Sequence, residues 1–319
     1  LSQKLEDGRL RDLLQAAART DKARLRSCGG PGAGTWLAAI PADAGLSFSD
    51  EEFAAATRFR LGQDLSLEGQ RCANCYTTGG VHHRVGDRCS GRLDALGLHA
   101  ATCLVGGNRT ATHNGQRDLW AQQLPSAGFA VHPEQHVPGW DRWVRRANGG
   151  WVRQRAVLDL RVEAPPDAPV TYLDVKVTHP CSATYVAGAA GENGYAAQKA
   201  EDDKHARYPA NTPGVSGRLV PLVVETYGRW GKEGLRFLKK AAARTARRTT
   251  ALAVLGGEGP PAVLGVWLQR QAVALQKSNV AAFKAAAGAA AVWAQPDFGH
   301  RETVLEVLAE AERLAAAVA

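Results

Sequence analysis

Arg155-Ala-Val-Leu-Asp159-Leu-Arg-Val162 and Thr171-Tyr-Leu-Asp174-Val-Lys176-Val177 are the two stretches on which the reading of this fold turns. Both alternate apolar and polar residues with the two-residue period of a β-strand. Leu158, Leu160 and Val162 take the core face and Asp159 the other. Leu173, Val175 and Val177 likewise turn inward, while Asp174 and Lys176 point together the opposite way. If the two strands pair, two carboxylates and an ammonium gather on one side of a sheet. Metal-assisted phosphodiester cleavage needs such a set. The acids hold a hard divalent cation through oxygen. The cation makes hydroxide available near neutral pH and offsets charge on the leaving oxygen. The lysine orients the attacking water or stabilises the crowded phosphorus. A solvated strand face is the competing account.

Working outward, the 319 residues allow one large or two small domains. A net charge of +8 and a pI near 9.3 favour an anionic partner. No apolar stretch approaches the ~20 residues of a membrane span, and Leu1-Ser-Gln-Lys-Leu-Glu-Asp7 is too polar for a signal peptide. The chain starts at Leu1 and contains no methionine, so a piece of something longer is expected. Of six cysteines, four lie with histidines between residues 72 and 103. That clustering points to a metal site in a reducing compartment rather than to a disulfide framework.

Cys72-x2-Cys75 and His99-x3-Cys103, with 23 residues between the pairs, offer the ligands of a tetrahedral structural zinc. Cys89, His82 and His83 in the insert are rival ligands. Such a site would hold a glycine-rich loop that cannot build its own core.

Periodicity predicts a charged helix over 2–27 that ends at Cys28-Gly-Gly-Pro-Gly32. Ser49 and Glu52, spaced as a capping box, open a helix over about 50–61. A loop segment runs to about 107, and a helix over 113–124 follows, with Asn114 as its N-cap. Strands are predicted near 128–136, 151–163, 169–178 and 218–226, with a helix at about 194–208 before the last. Helices over 232–251, 261–287 and 300–318 complete the chain. The order of elements from 113 to 250 fits one α/β layer domain.

Arg236, Lys239, Lys240, Arg244, Arg247 and Arg248 share the helix over 232–251, with 236, 240, 244 and 247 stacked along one side. Such a stripe can neutralise phosphates without reading sequence. Trp140, Trp143 and Trp151 lie among Arg142, Arg145, Arg146 and Arg153, as in a base-stacking loop or as core anchors. His113 and Arg117 suit a phosphate contact or, more plainly, a helix start with an Arg117/Asp118 surface pair. The alanine-rich tail from 281 onward reads as packing.

A collinear set of short motifs runs through residues 35–285: Trp36-Leu-Ala-Ala-Ile-Pro41, Arg58-Phe-Arg-Leu-Gly62, Cys72-Ala-Asn-Cys75, Leu93-Asp-Ala-Leu-Gly-Leu-His99-Ala-Ala-Thr-Cys103, Gly106-Gly-Asn-Arg109 with His113-Asn114 and Arg117-Asp118, Glu134-Gln-His-Val-Pro138, Leu173-Asp-Val-Lys-Val-Thr-His-Pro180, Val223-Val-Glu-Thr-Tyr-Gly228 and Ala272-Val-Ala-Leu-Gln-Lys-Ser-Asn279. Together they resemble the region after the reverse transcriptase in LINE-type (non-LTR) retrotransposon polyproteins. There a Cys-Cys-His-Cys zinc knuckle precedes a restriction-like endonuclease of the PD-(D/E)xK class.

The resemblance implies a restriction-endonuclease-like α/β core, a mixed sheet flanked by helices. It divides the chain into a helical linker (1–66), a zinc knuckle (67–112), the nuclease (113–250) and a C-terminal helical extension (251–319). Asp159 and Asp174, with Glu134, correspond to the acids that bind Mg²⁺ or Mn²⁺. Lys176, Lys204 and Tyr208 correspond to catalytic positions, with Lys176 ahead of Lys204. Cys72, Cys75, His99 and Cys103 correspond to the Zn²⁺ ligands, and Leu158 replaces the proline of the motif. Arg236, Lys240, Arg244, Arg247, Arg117 and His113 are the expected nucleic-acid contacts. The implied activity is nicking of target DNA in the nucleus, after synthesis in the cytoplasm, to prime reverse transcription. The reverse transcriptase domain and the element RNA are the implied partners, and no membrane is. A non-catalytic zinc-dependent nucleic-acid-binding module is the main alternative; a docking segment of the polyprotein and an unexpressed genomic relic are the others.

Overall fold

The computed structural model describes residues 8, 11–77, 79, 83–146, 149–164, 169–252 and 260–288, without the side chains of 246–252 and 260–262. His82, the side chains of Arg247 and Arg248, and the helix expected over 300–318 lie outside the described residues.

Alternation around Asp159 and Asp174 becomes two strands, β4 (Val157–Glu163) and β5 (Thr171–Thr178). With β1 (Ala130–His136) and β6 (Arg218–Glu225) they form a four-stranded mixed sheet in the order β1-β4-β5-β6. β4 runs antiparallel to both β1 and β5, whereas β5 and β6 are parallel. The parallel pair requires a crossover, and α5 (Tyr195–Arg207) supplies it.

Apolar strand residues face a layer of three helices: α4 (Asn108–Gln123), α6 (Lys232–Leu252) and α7 (Pro260–Ala287). Leu160, Val162, Leu173, Val175, Leu222 and Val224 pack there with Trp120, Phe237, Leu238 and Leu275. On the opposite face Val223 meets Ala197 and Ala200 of α5. The chain is thus a mixed α/β fold with helices on both faces of the sheet.

A second core ties the cysteine-rich segment to this body. Phe59 of α2 (Asp50–Leu61) stacks on Tyr227 at 4.4 Å and meets Phe283 of α7 edge-on at 5.0 Å. Leu65, Leu67, Cys72 and Cys103 close around them. Gln276 and Asn279 of α7 donate to the Thr226 carbonyl, pinning the turn after β6. At Gly228 in that turn φ is +97°, and a Cβ would lie 2.9 Å from the Ala33 Cα, so glycine is required there.

Several local expectations are corrected. The N-terminal helix is not continuous: after helical residues 11–16, Ala18 is extended and α1 (Arg19–Cys28) begins afresh. The run 151–163 is two strands, because β2 (Arg142–Arg145) and β3 (Trp151–Gln154) pair as a separate ribbon. α4 starts at Asn108, after Gly107 at φ +76°, so Asn114 lies inside it and is not an N-cap. The Ser49–Glu52 capping box opens α2 as read. Among the described residues no helix is long and apolar enough to cross a membrane.

Candidate functional site

β4 and β5 pair only from Leu160–Leu173 to Val162–Thr171 and then diverge. Asp159 fills the opening. Its Oδ2 accepts the Val175 N–H at 2.6 Å, replacing the missing ladder bond, and its Oδ1 lies 2.8 Å from His113 Nε2 on α4. Asp174, 5% exposed, sits beside it and accepts from Lys204 Nζ of α5 at 2.6 Å. The site is therefore assembled from two strands and two helices.

The electrostatics separate the two acids. Burial works to raise Asp159, but hydrogen bonds from His113, Asp174 and the Val175 N–H outweigh it and hold the carboxyl below the usual range. Burial pushes Asp174 up to about 6; Lys204 opposes the rise and the Asp159 charge adds to it. The pair thus titrates as a unit, with the later proton on Asp174. Lys176 is held below the ordinary lysine value, first by burial and then by the charges of Lys204 and Arg109.

Lys176, His113 and Arg109 line one cleft of about 660 Å³, with Thr102, Thr178 and Thr184. Asp159 and Asp174 are not among the residues that line it; His113 and Lys176 are their nearest links to the cleft in structure and sequence. Arg109, which belongs to the Gly106-Gly-Asn-Arg109 motif but not to the expected site residues, lies four residues before His113 and on the same face of α4, which starts at Asn108.

Not every expected site residue joins this group. Glu134 lies across from Asp159 in the β1–β4 register, but its φ is +52° and its carboxylate pairs with Arg117 at 2.7 Å. It stays largely exposed and does not complete a three-acid metal site. His113 and Arg117 contact the acids Asp159 and Glu134. The Tyr208 ring is buried against Trp140 at 5.4 Å, and burial and the nearby Asp174 charge keep its phenol protonated. On α6, Arg236, Lys239 and Lys240 are exposed. Arg244 instead donates to the Ala127 carbonyl at 2.9 Å and lies over the Phe129 ring. This basic stretch packs on the sheet face opposite α5, away from Lys204.

The cysteine cluster also departs from expectation. Cys72, Cys89, His99 on the short helix α3 (Leu98–Thr102), and Cys103 place one ligand atom each within 4.8 Å of all the others. Cys75 is not among them. A short antiparallel ladder pairs Arg71 with Arg92 and Cys75 with Arg88. In that register Asn74 lies opposite Cys89, so Cys72, Asn74 and Cys89 share a face and Cys75 points the other way. The Cys75 Sγ contacts the Ala73 carbonyl instead. Gly91 is needed beside the cluster, because a Cβ there would sit 2.1 Å from His99 Cε1.

The separations fit a tetrahedral zinc. Sulfurs bound at about 2.3 Å lie about 3.8 Å apart, and a sulfur and an imidazole nitrogen about 3.6 Å apart. Cys103 lies 3.8 Å from Cys89 and 4.0 Å from Cys72, and Cys89 lies 3.6 Å from His99 Nε2. Burial pushes the Cys72 thiol up to about 12, so a cation is what would hold it as thiolate. These four residues can bind a metal such as zinc. Compared with known protein families and with curated proteins, the chain matches none.

Proposed function

We propose that this chain is the metal-dependent DNA-nicking segment of a LINE-type retrotransposon polyprotein, built on a PD-(D/E)xK restriction-like core. The observation that carries the proposal is the meeting of Asp159 and Asp174 at the divergence of β4 and β5, flanked by Lys204 and Lys176. The collinear motifs support the assignment to such an element. On this reading the protein acts on nuclear DNA, with a reverse transcriptase domain of the same polyprotein as its partner.

The donor set suits Mg²⁺ or Mn²⁺, which commonly take one or two carboxylates and complete their shell with water and substrate phosphate. A buried carboxylate and a half-buried one that resist ionising together are a pair that a divalent cation would neutralise. Asp159 and Asp174 would hold it, and when bound it supplies Lewis acidity and lowers the pKa of bound water. His113 and the Val175 N–H fix the Asp159 carboxylate, so little reorganisation is needed. Lys204 fixes Asp174 and is a positioning residue. Lys176 reaches the cleft wall, where its ammonium would stabilise charge on the scissile phosphate.

The test is conversion of supercoiled plasmid to nicked circles by the zinc-loaded chain in Mg²⁺ or Mn²⁺; no conversion in either metal overturns the reading. The two lysines should separate in this assay. Lys176→Met is expected to lower the rate plateau by ~10²-fold without moving its pH dependence. Lys204→Met removes the charge that holds Asp174 down, so the acidic limb should move to higher pH. A K204M profile that keeps its midpoint would refute the positioning role.

The sign of the pH dependence follows from Asp174. Its folded pKa is raised, so in metal-free protein its contribution to stability is present at pH 4 and is lost as pH rises through about 6. Cation binding runs the other way, because the metal must displace that proton. Mn²⁺ affinity, read as the metal-induced rise in Tm, should fall about tenfold per pH unit below 6. A Tm rise independent of pH between 4 and 7 would contradict it.

A further inference from the structure

We propose that the β2–β3 ribbon is a holder for the unpaired bases of a DNA strand next to the candidate cleavage site. The register pairs Trp143 with Arg153 and Arg145 with Trp151. All four side chains therefore project from one face of the ribbon, with each indole opposite a guanidinium. Trp143 and Trp151 are 66% and 65% exposed. Their diagonal relation separates them by roughly 7 Å, about the gap one base fills between two rings. Neither packs against another aromatic ring among the described residues. The core-anchor reading belongs to Trp140 alone, which is buried and donates from Nε1 to the Pro209 carbonyl and Thr212 Oγ1.

Charge selects an anionic occupant. Between Gly139 and Ala156 there are five arginines and one aspartate. That aspartate, Asp141, is buried and occupied by His136, Arg153 and the Ala156 N–H, so it presents little charge to a ligand. Exposed aromatic faces among arginines suit bases whose faces are open, as in single strands. In a duplex the base faces are covered, and only the backbone charge would be met.

Position connects the ribbon to the acids. It extends the β1–β4 pair beyond its last partners, His136 and Val157, and Asp159 lies two residues inside that end. Its base is fixed: Trp140 packs on Tyr208, and Val137, Ala156 and Leu158 close the same cluster. A strand on the Trp143/Trp151 face would thus be held close to the acids by a rigid root. Only this placement rests on the nuclease reading; the affinity of the ribbon for unpaired bases does not.

The test uses the full zinc-loaded chain without Mg²⁺ or Mn²⁺. Fluorescence anisotropy compares a labelled DNA oligonucleotide of about 15 nucleotides as single strand, as duplex and as the same sequence in RNA. Trp143→Ala and Trp151→Ala should each weaken single-strand binding about tenfold, while duplex affinity changes less than about twofold. Trp143→Phe and Trp151→Phe should restore most of the loss. Both side chains are exposed, so unchanged Tm values confirm folded variants. Unchanged single-strand affinity in W143A/W151A, or equal losses on single strand and duplex, would overturn the proposal. Tighter tryptophan-dependent binding of the RNA would overturn its assignment to DNA. Tryptophan-dependent binding in a chain that nicks nothing would sink the nuclease reading and leave this one standing.

Discussion

Asp174→Ala is expected to reduce metal-dependent nicking by ~10³-fold or more, since it removes one of the two carboxylates proposed to hold the cation. The substitution also strands the Lys204 ammonium, which donates to the Asp174 carboxylate at 2.6 Å from a largely enclosed position. Leaving a buried charge without its partner costs about 3 kcal/mol, so lost activity in this variant alone is ambiguous. Asp174→Asn resolves it, keeping the shape and an oxygen that accepts from Lys204 while lowering the affinity for a divalent cation. If both variants fold by circular dichroism and both fail to nick, the effect belongs to metal binding. If Asp174→Asn nicks at the wild-type rate, the pair of aspartates is a structural ion-pair site and the proposed chemistry is wrong.

The second large effect separates two cysteines that look alike in sequence. Cys89→Ser should lower zinc affinity by ~10²-fold or more and destabilise the segment around the cluster, because structural zinc binding is also folding energy. Cys75→Ser should leave one zinc per chain, since Cys75 turns away from Cys72, Cys89, His99 and Cys103. Zinc content by atomic absorption and the chelator concentration at half-release measure both. Equal losses from the two substitutions would mean that the ladder slips when metal binds, and that Cys75 takes part.

The strands were legible because alternation over seven or eight residues leaves little choice of face: Leu160, Val162, Leu173 and Val175 are buried where the pattern puts them. Asp159 and Asp174 could be placed on one side for the same reason. The residues that can bind a metal were less legible. Cys75 is close to Cys72 in number, but the selection is made by a five-residue ladder whose register depends on long-range pairing with Arg88 and Arg92. The His113–Asp159 contact was not legible because it joins a helix to a strand 46 residues later. His113 and Arg117 lie one turn apart on α4 and face the strand acids. Alternating Trp and Arg in β2 and β3 carried no information about burial, because aromatic residues suit a strand whichever way they face. Glu134 pairs with Arg117 from a left-handed φ that cannot be read from residue type.

Helix α7 has a consequence for how the molecule is made. Phe283 closes on Phe59, more than two hundred residues earlier, and Gln276 and Asn279 grip the turn beyond β6. The core under the cysteine cluster therefore stays open during synthesis until about residue 288 has left the ribosome. Until then Leu65, Leu67 and Tyr227 lack their lid, and the nascent chain carries an uncovered apolar surface of the kind that recruits chaperones. Closure over so long a separation is slow by its topology, and a metal held by Cys72, Cys89, His99 and Cys103 would preserve local order while the chain waits.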